Sequence, residues 1–175
     1  MAEALPAAMT DVAADRLARL FDRHYERLYR LARRLAPSAD AARDLVQDAF
    51  LRAARSPNAI PHGARDEEAW LVRVLVNLQR DAWRKSAVRS RYAGSPHHVS
   101  TIGSVESAVV ARATVWRALD ALAPRRRAVV VLHELEGLDV RAIASLLGIS
   151  GVTVRWHLSR GRRELAVRLG ALKKE

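Results

Sequence analysis

The sequence predicts an all-α fold built as two small helical domains joined by a flexible linker. Apolar residues recur at helical spacing through most of the chain, and only 8 glycines and 6 prolines interrupt 175 residues. The periodicity lapses once, near the middle, and long Val/Ile/Thr alternations that would mark strands are absent. Half of the residues are hydrophobic, enough for a packed core and against global disorder. The length suits one ordinary domain or two small ones.

The elements follow in order. From Asp15 to Leu35 the residues Leu17, Leu20, Phe21, Leu28, Leu31, Ala32 and Leu35 share one helical face, with arginine and aspartate opposite. Pro37 and Ser38 end this helix, and Ser38 or Asp40 can cap the next. That helix, DAARDLVQDAFLRAAR, buries Ala42, Leu45, Val46, Ala49 and Phe50. SPNAIPHGARD, with two prolines and a glycine, is a loop. A third helix begins at Asp66, Glu67 and Glu68, acids suited to the positive end of a helix dipole, and buries Leu71, Val74, Leu75, Leu78 and Ala82. These elements make a first domain, 15–87.

Residues 88–106, VRSRYAGSPHHVSTIGSVE, lose the apolar period and gain serine, glycine and histidine, as a linker does. A second domain, 107–169, follows. Helices are expected over about 107–122 and 125–136, the latter after Pro124 at a helix-start position. Gly137 ends it, Asp139 caps a short helix from Val140 to Leu147, Gly148 turns, and Ser150 caps a last helix reaching about Leu169.

A net charge of +11 and a pI near 11.3 favour polyanionic partners, nucleic acid first and an anionic membrane second. Only Lys85, Lys173 and Lys174 are lysines, and an arginine bias also arises from a GC-rich genome. Position is more telling, since the basic excess is larger over 91–175 than over 1–90. The absence of cysteine removes disulfides and thiolate zinc sites and suits a reducing, cytoplasmic setting. The N-terminal stretch lacks the basic and apolar regions of a signal peptide. WLVRVLVNL, interrupted by Arg73, is too short to span a bilayer, so no membrane insertion is expected. His97 and His98 have no third ligand at helical or hairpin spacing, so no metal is expected. With no Gly-rich phosphate loop and no nucleophile–base pair, no cofactor, small-molecule substrate or catalytic residue is expected either.

SLLGISGVTVRWHLSRGRREL has the spacing of a helix-turn-helix. Ala144 is small where two helices approach, Gly148 can take positive φ at the turn, and Val154 plugs the core. Many helical corners share that much. The second helix discriminates: with Val154, Leu158 and Leu165 buried, Thr153, Arg155, Ser159, Arg160, Arg162 and Arg163 face outward. Polar groups near its start can meet base edges and arginines can grip phosphate or guanine. The alternative is a solvated basic face.

In the first domain, Arg73, Asn77, Arg80 and Arg84 recur at spacings of three and four, and Trp83 beside them can stack on an unpaired base. Taken alone, Trp83 and Trp70 each read more readily as ordinary partly buried aromatics. Asp44, Gln47 and Asp48 make an acidic-amide face that repels DNA, either solvated surface or a protein docking site.

Together these segments resemble the extracytoplasmic-function (ECF) class of bacterial RNA polymerase sigma factors. DAARDLVQDAFLRAAR is similar to that family's D-A-x-D-L-V-Q-[ED]-x-F-L helix through Asp44, Leu45, Val46, Gln47, Asp48 and Phe50. AWLVRVLVNLQRDAWRK resembles its W-L-x-x-[IV]-x-x-N-x-x-x-D-x-x-R segment through Trp70, Leu71, Asn77, Asp81 and Arg84. Residues from Leu122 to Leu165 resemble its carboxy-terminal domain. The resemblance implies a sigma-2 bundle whose Asp44, Gln47 and Asp48 dock on the clamp of core RNA polymerase. It also implies that Arg73, Asn77, Arg80, Asp81, Trp83 and Arg84 hold the −10 element open. A sigma-4 domain would contact the polymerase flap and set Ser150, Thr153, Arg155, His157, Ser159, Arg160, Arg162 and Arg163 on the −35 element. Promoter DNA and polymerase are the implied partners, an anti-sigma factor a further candidate, and no accessory C-terminal domain is expected.

Three residues depart from the family. Trp156 stands where a serine is usual and either packs or projects near DNA; Gly161 replaces alanine at about 1 kcal/mol of helix propensity. His157 replaces an arginine and softens one phosphate contact. A dimeric repressor fits the acidic-amide face and the basic third helix poorly. A membrane-surface helix fits the regular core-facing stripes poorly.

Overall fold

The computed structural model describes residues 11–93 and 107–172. His97, His98 and most of the expected linker lie outside the described residues. The elements are α1 (Asp11–Leu35), α2 (Ala39–Arg55), a 3₁₀ turn (Pro57–Ala59), α3 (Ala64–Ala93), α4 (Ser107–Asp120), α5 (Pro124–Glu134), α6 (Val140–Leu147) and α7 (Gly151–Leu172). Among the described residues there is no strand.

The local signals act as the chemistry demands. The Ser38 hydroxyl accepts from the Ala41 N–H and starts α2, so Ser38 rather than Asp40 is the cap. α3 continues past Ala87 to Ala93 because no glycine or proline interrupts the sequence between Ala64 and Ala93.

α1, α2 and α3 pack through Leu20, Leu28, Leu31, Leu35, Ala42, Val46, Ala49, Leu71 and Leu75. Each fully buried leucine or valine contributes about 1.5–3 kcal/mol relative to exposure. Phe21 corrects the expected stripe: it is 43% exposed, stacked on Tyr25 at 4.7 Å and tilted on Phe50 at 4.9 Å. Ala82 is also exposed, and Leu78 only half-buried. His24, a polar residue missed in the apolar pattern, is buried with Nε2 3.3 Å from Glu67.

In the second half α5 is the axis. Ala128, Val129, Val130, Val131 and Leu132 are all buried, and a helix apolar on every side must be covered on every side. α7 packs on it, and α1 and α3 also pack against it, so one apolar cluster runs through both halves. Arg127, 4% exposed, crosses this junction. Its Nε donates to the Arg34 carbonyl at 2.9 Å and its Nη2 to that of Ala36 at 3.3 Å, while Nη1 is paired with Asp120. The last carbonyls of α1 lack helical partners, and these donors satisfy them. Gln79 does the same for Leu35 at 3.0 Å, and Glu136 is paired with Arg34.

Candidate nucleic-acid interface

α6, its turn and α7 form the expected helix-turn-helix. Asp139 Oδ1 accepts from the Ala142 N–H at 2.7 Å and starts α6. Gly148 ends it at φ 62°, ψ 44°, a left-handed conformation that side-chain-bearing residues resist. The Ile149 N–H closes on the Ala144 carbonyl at 3.0 Å. Ser150 then caps α7 by accepting from the Thr153 N–H at 3.1 Å, and the two hydroxyls are 2.8 Å apart. Ser150 and Thr153 therefore act jointly as the cap. Val154, Leu158 and Ile143 are buried where the two helices meet.

The outward side of α7 carries Arg155, Ser159, Arg160, Arg162 and Arg163, all exposed. Their environments differ. Arg162 donates twice to Glu134 Oε1, at 2.7 and 2.9 Å, and this bond holds the Glu134 carboxyl below its ordinary range. Arg160 lies 3.4 Å from Glu164, and Arg163 donates to the Ser159 hydroxyl at 3.1 Å. Arg155 has no hydrogen-bond or ion-pair partner among the described residues. His157 turns toward α5 and is half-buried, with an unpartnered buried Nδ1. Burial, with the charges of Arg126 and Arg125, lowers its pKa below the usual imidazole value. That direction favours the neutral ring over the charged one.

Val152, absent from the sequence expectations, is 70% exposed; Trp156, expected either to pack or to project, does some of each, 54% exposed with Arg126 over its ring. Counting 100° per residue from buried Val154 and Leu158 places both nearly opposite the core, so the pattern held the signal. Gly161 is buried, and a Cβ there would sit 2.6 Å from Val130 Cγ2 and 3.2 Å from Arg126 Cγ. Its glycine is the condition for α7 lying this close to α5, which corrects its reading as a mere propensity loss.

The face on α3 is partly engaged. Arg73 Nε donates to the Leu146 carbonyl at 2.7 Å and Nη2 to that of Ser145 at 3.2 Å, across to α6. Asn77 is half-buried, Arg80 lies 3.3 Å from Asp81, Arg84 is exposed and Trp83 is 41% exposed. Trp70, by contrast, packs on the core. On α2, Asp44, Gln47 and Asp48 are all exposed, with Leu51 continuing the row as an exposed apolar residue. Among the described residues no group of histidine, aspartate and glutamate could hold a metal ion, and no helix is long and apolar enough to cross a membrane.

Two helical bundles, one ending in a basic helix-turn-helix, define a DNA-binding protein of the two-region type. Comparison with known proteins gives it a family. Residues 20–89 match Sigma-70 region 2, and residues 112–165 match Sigma-70, region 4. The ECF RNA polymerase sigma factor SigL of Mycobacterium tuberculosis is 34% identical over 177 residues, covering 98% of this chain and 98% of that protein. SigM of the same species is 33% identical over 163 residues, covering 92% and 82%. SigE of Mycolicibacterium smegmatis is 35% identical over 161 residues, and the match spans 58% of that longer protein. Among solved structures, the sigma factor RpoE in complex with the anti-sigma factor NepR from Bartonella quintana shares the fold, with a TM-score of 0.68 at 22% identity over 92% of this chain and 98% of that one. CnrH in complex with the cytosolic domain of CnrY gives 0.61 at 26% identity, over 90% of each chain. The chain belongs to the ECF sigma factors of the sigma-70 family, which direct RNA polymerase to begin transcription at specific promoters.

Proposed function

We propose that the two regions, 15–87 and 107–169 with a linker at 88–106, divide the work of promoter recognition between the faces described above. α7 enters the major groove of the −35 element, with Arg155, Arg160, Arg162 and Arg163 on phosphate or base edges and Ser159 between them. Ser150 and Thr153 hold its first turn in place, and His157 supports it from the α5 side.

α3 serves the −10 element. Trp83, half out of the fold, offers a stacking surface to an unpaired base, flanked by Asn77, Arg80, Asp81 and Arg84, with Arg73 joining once released from α6. The exposed Asp44, Gln47 and Asp48 face docks on the polymerase clamp, and the second region meets the flap. The chain supplies no catalytic group; polymerase carries out the chemistry, in the cytoplasm. An anti-sigma factor is a further candidate partner.

The observation that carries this reading is the outward arginine row on a helix fixed by the Gly148 turn and the Ser150 cap, inside the region-4 match. Run-off transcription with core polymerase over a promoter library tests it. Discrete start sites that vanish in an Asp44→Lys, Asp48→Lys variant of native helicity are expected. Absence of any defined start site overturns it.

A further inference from the structure

The outermost line of α7 is not arginine at its beginning. Val154, Leu158 and Gly161 mark the buried side, and at 100° per residue Val152 and Trp156 stand almost diametrically opposite. They occupy the first two turns, the part of a recognition helix that meets base edges. Arg155, Arg160 and Arg163 lie beside them, so cationic groups frame a small apolar strip.

Trp156 is exposed yet held. The Arg126 guanidinium carbon lies 5.6 Å from its ring centroid, and His157 meets its edge at 4.9 Å. Arg126 is itself fixed by hydrogen bonds of 2.7 and 2.8 Å to Glu164. The close α5–α7 approach allowed by Gly161 brings these groups together. An aromatic ring locked in an outward pose costs little ordering on binding.

We propose that Val152 and Trp156 read thymine in the −35 duplex through its 5-methyl group. The proposal rests on the placement of α7 in the major groove. In that groove an apolar side chain has one apolar feature to recognise, the thymine methyl, and the minor groove has none. The flanking arginines match the phosphates on either side, which favours duplex DNA over an apolar protein segment as the occupant.

The test uses the full chain assembled with core polymerase on a promoter found by run-off selection. Each −35 thymine is replaced in turn by deoxyuridine, which removes only the methyl. At one or two positions the wild type should bind about fourfold more weakly, the effect of one buried methyl. Val152→Ser and Trp156→Gln, which put polar groups in place of the apolar strip, should each reduce that penalty, and the pair should abolish it. Val152 is too exposed for its truncation to unfold the domain. Defined start sites with no cost for any uridine, or a cost unchanged in both variants, overturn the inference while leaving promoter recognition intact. A drop in polymerase affinity with undiminished methyl dependence assigns the strip to a protein contact and overturns it too. Loss of all defined start sites instead sinks the underlying function.

Discussion

Arg73 donates to the Leu146 carbonyl oxygen at 2.7 Å, so a residue of the proposed −10 face closes the C-terminal end of the first helix of the helix-turn-helix. Elements about 25 base pairs apart lie about 85 Å apart along B-DNA at 3.4 Å per step. A compact chain of this length has a radius of gyration of about 16 Å. If the two faces are used as proposed, they cannot both meet their elements while the halves stay packed, and promoter engagement would break this bond and its neighbours. Glu136→Arg sets a like charge against Arg27 and Arg34, its present partners. The variant should show a larger radius of gyration in small-angle scattering of the free chain and faster association with core polymerase. Unchanged values of both would count against the packed halves as a brake.

The Arg127–Asp120 pair bears on the same junction. Burial is the leading influence on both groups: it lowers the Arg127 pKa and raises that of Asp120, against their mutual attraction. Ionising the pair is thus costly, and its role is to aim Arg127 at the carbonyls of Arg34 and Ala36. Removing the arginine strands Asp120 and those carbonyls, so Arg127→Ala should lose about 3 kcal/mol in urea unfolding. The folded state holds the Asp120 proton more tightly than the unfolded chain. Its contribution is therefore complete below the ordinary carboxylate value of 3.8 and is lost as pH rises through the raised one. Asp120→Asn should flatten that part of the stability profile.

The helices, caps and recognition turn were legible because each depends on residues close in sequence. Ser38, Asp139, Gly148 and Ser150 act within a few positions of themselves, and the α6 bounds are those expected. Contacts between the halves were not legible. Arg127 and Arg73 are ordinary surface arginines in any local pattern, and their partners lie 93 and 73 residues away. Val152 differs again: the helical period assigns it outward, yet a lone exposed apolar residue among arginines carries no local signal of a role.

His157 gives a pH dependence of the usual depressed-pKa sign. Burial first, then Arg126 and Arg125, keep its folded pKa below the ordinary 6.5. The unfolded chain takes up the proton first as pH falls, so stability is full above about 6.5 and declines as pH drops through the folded value. His157→Gln should remove this decline, seen as urea midpoints at pH 8 and pH 5.5 drawing closer together. A wild-type midpoint gap that persists in the variant would assign the dependence elsewhere.

The arginines of α7 should not contribute equally to DNA binding. Arg155 has no partner among the described residues, whereas Arg162 is already committed to Glu134 by two hydrogen bonds. Arg155→Ala should reduce the slope of log affinity against log salt by about 0.9, one phosphate's worth of counterion release. Glu134→Gln frees the Arg162 charge and should strengthen binding, most visibly at low salt. Titrating a −35 duplex at several salt concentrations checks both; a weaker Glu134→Gln complex would show that the pair positions Arg162 for contact.

Gly161 sets two physical effects against each other. Alanine gains about 1 kcal/mol of helix propensity over glycine. Its Cβ, however, would meet Val130 Cγ2 at 2.6 Å, and a β-branched side chain packed in the core has few alternative rotamers to adopt. Overpacking of this kind typically costs about 1–3 kcal/mol, so Gly161→Ala should lower the melting temperature despite the better helix former. Val130→Ala removes the obstructing methyl groups at its own cavity cost. The double variant should therefore be more stable than the sum of the single effects predicts, by about 1 kcal/mol of coupling in a double-mutant cycle. Additive effects, or an alanine that stabilises the wild-type background, would mean that α7 can move off α5 freely and that Gly161 does not set their separation.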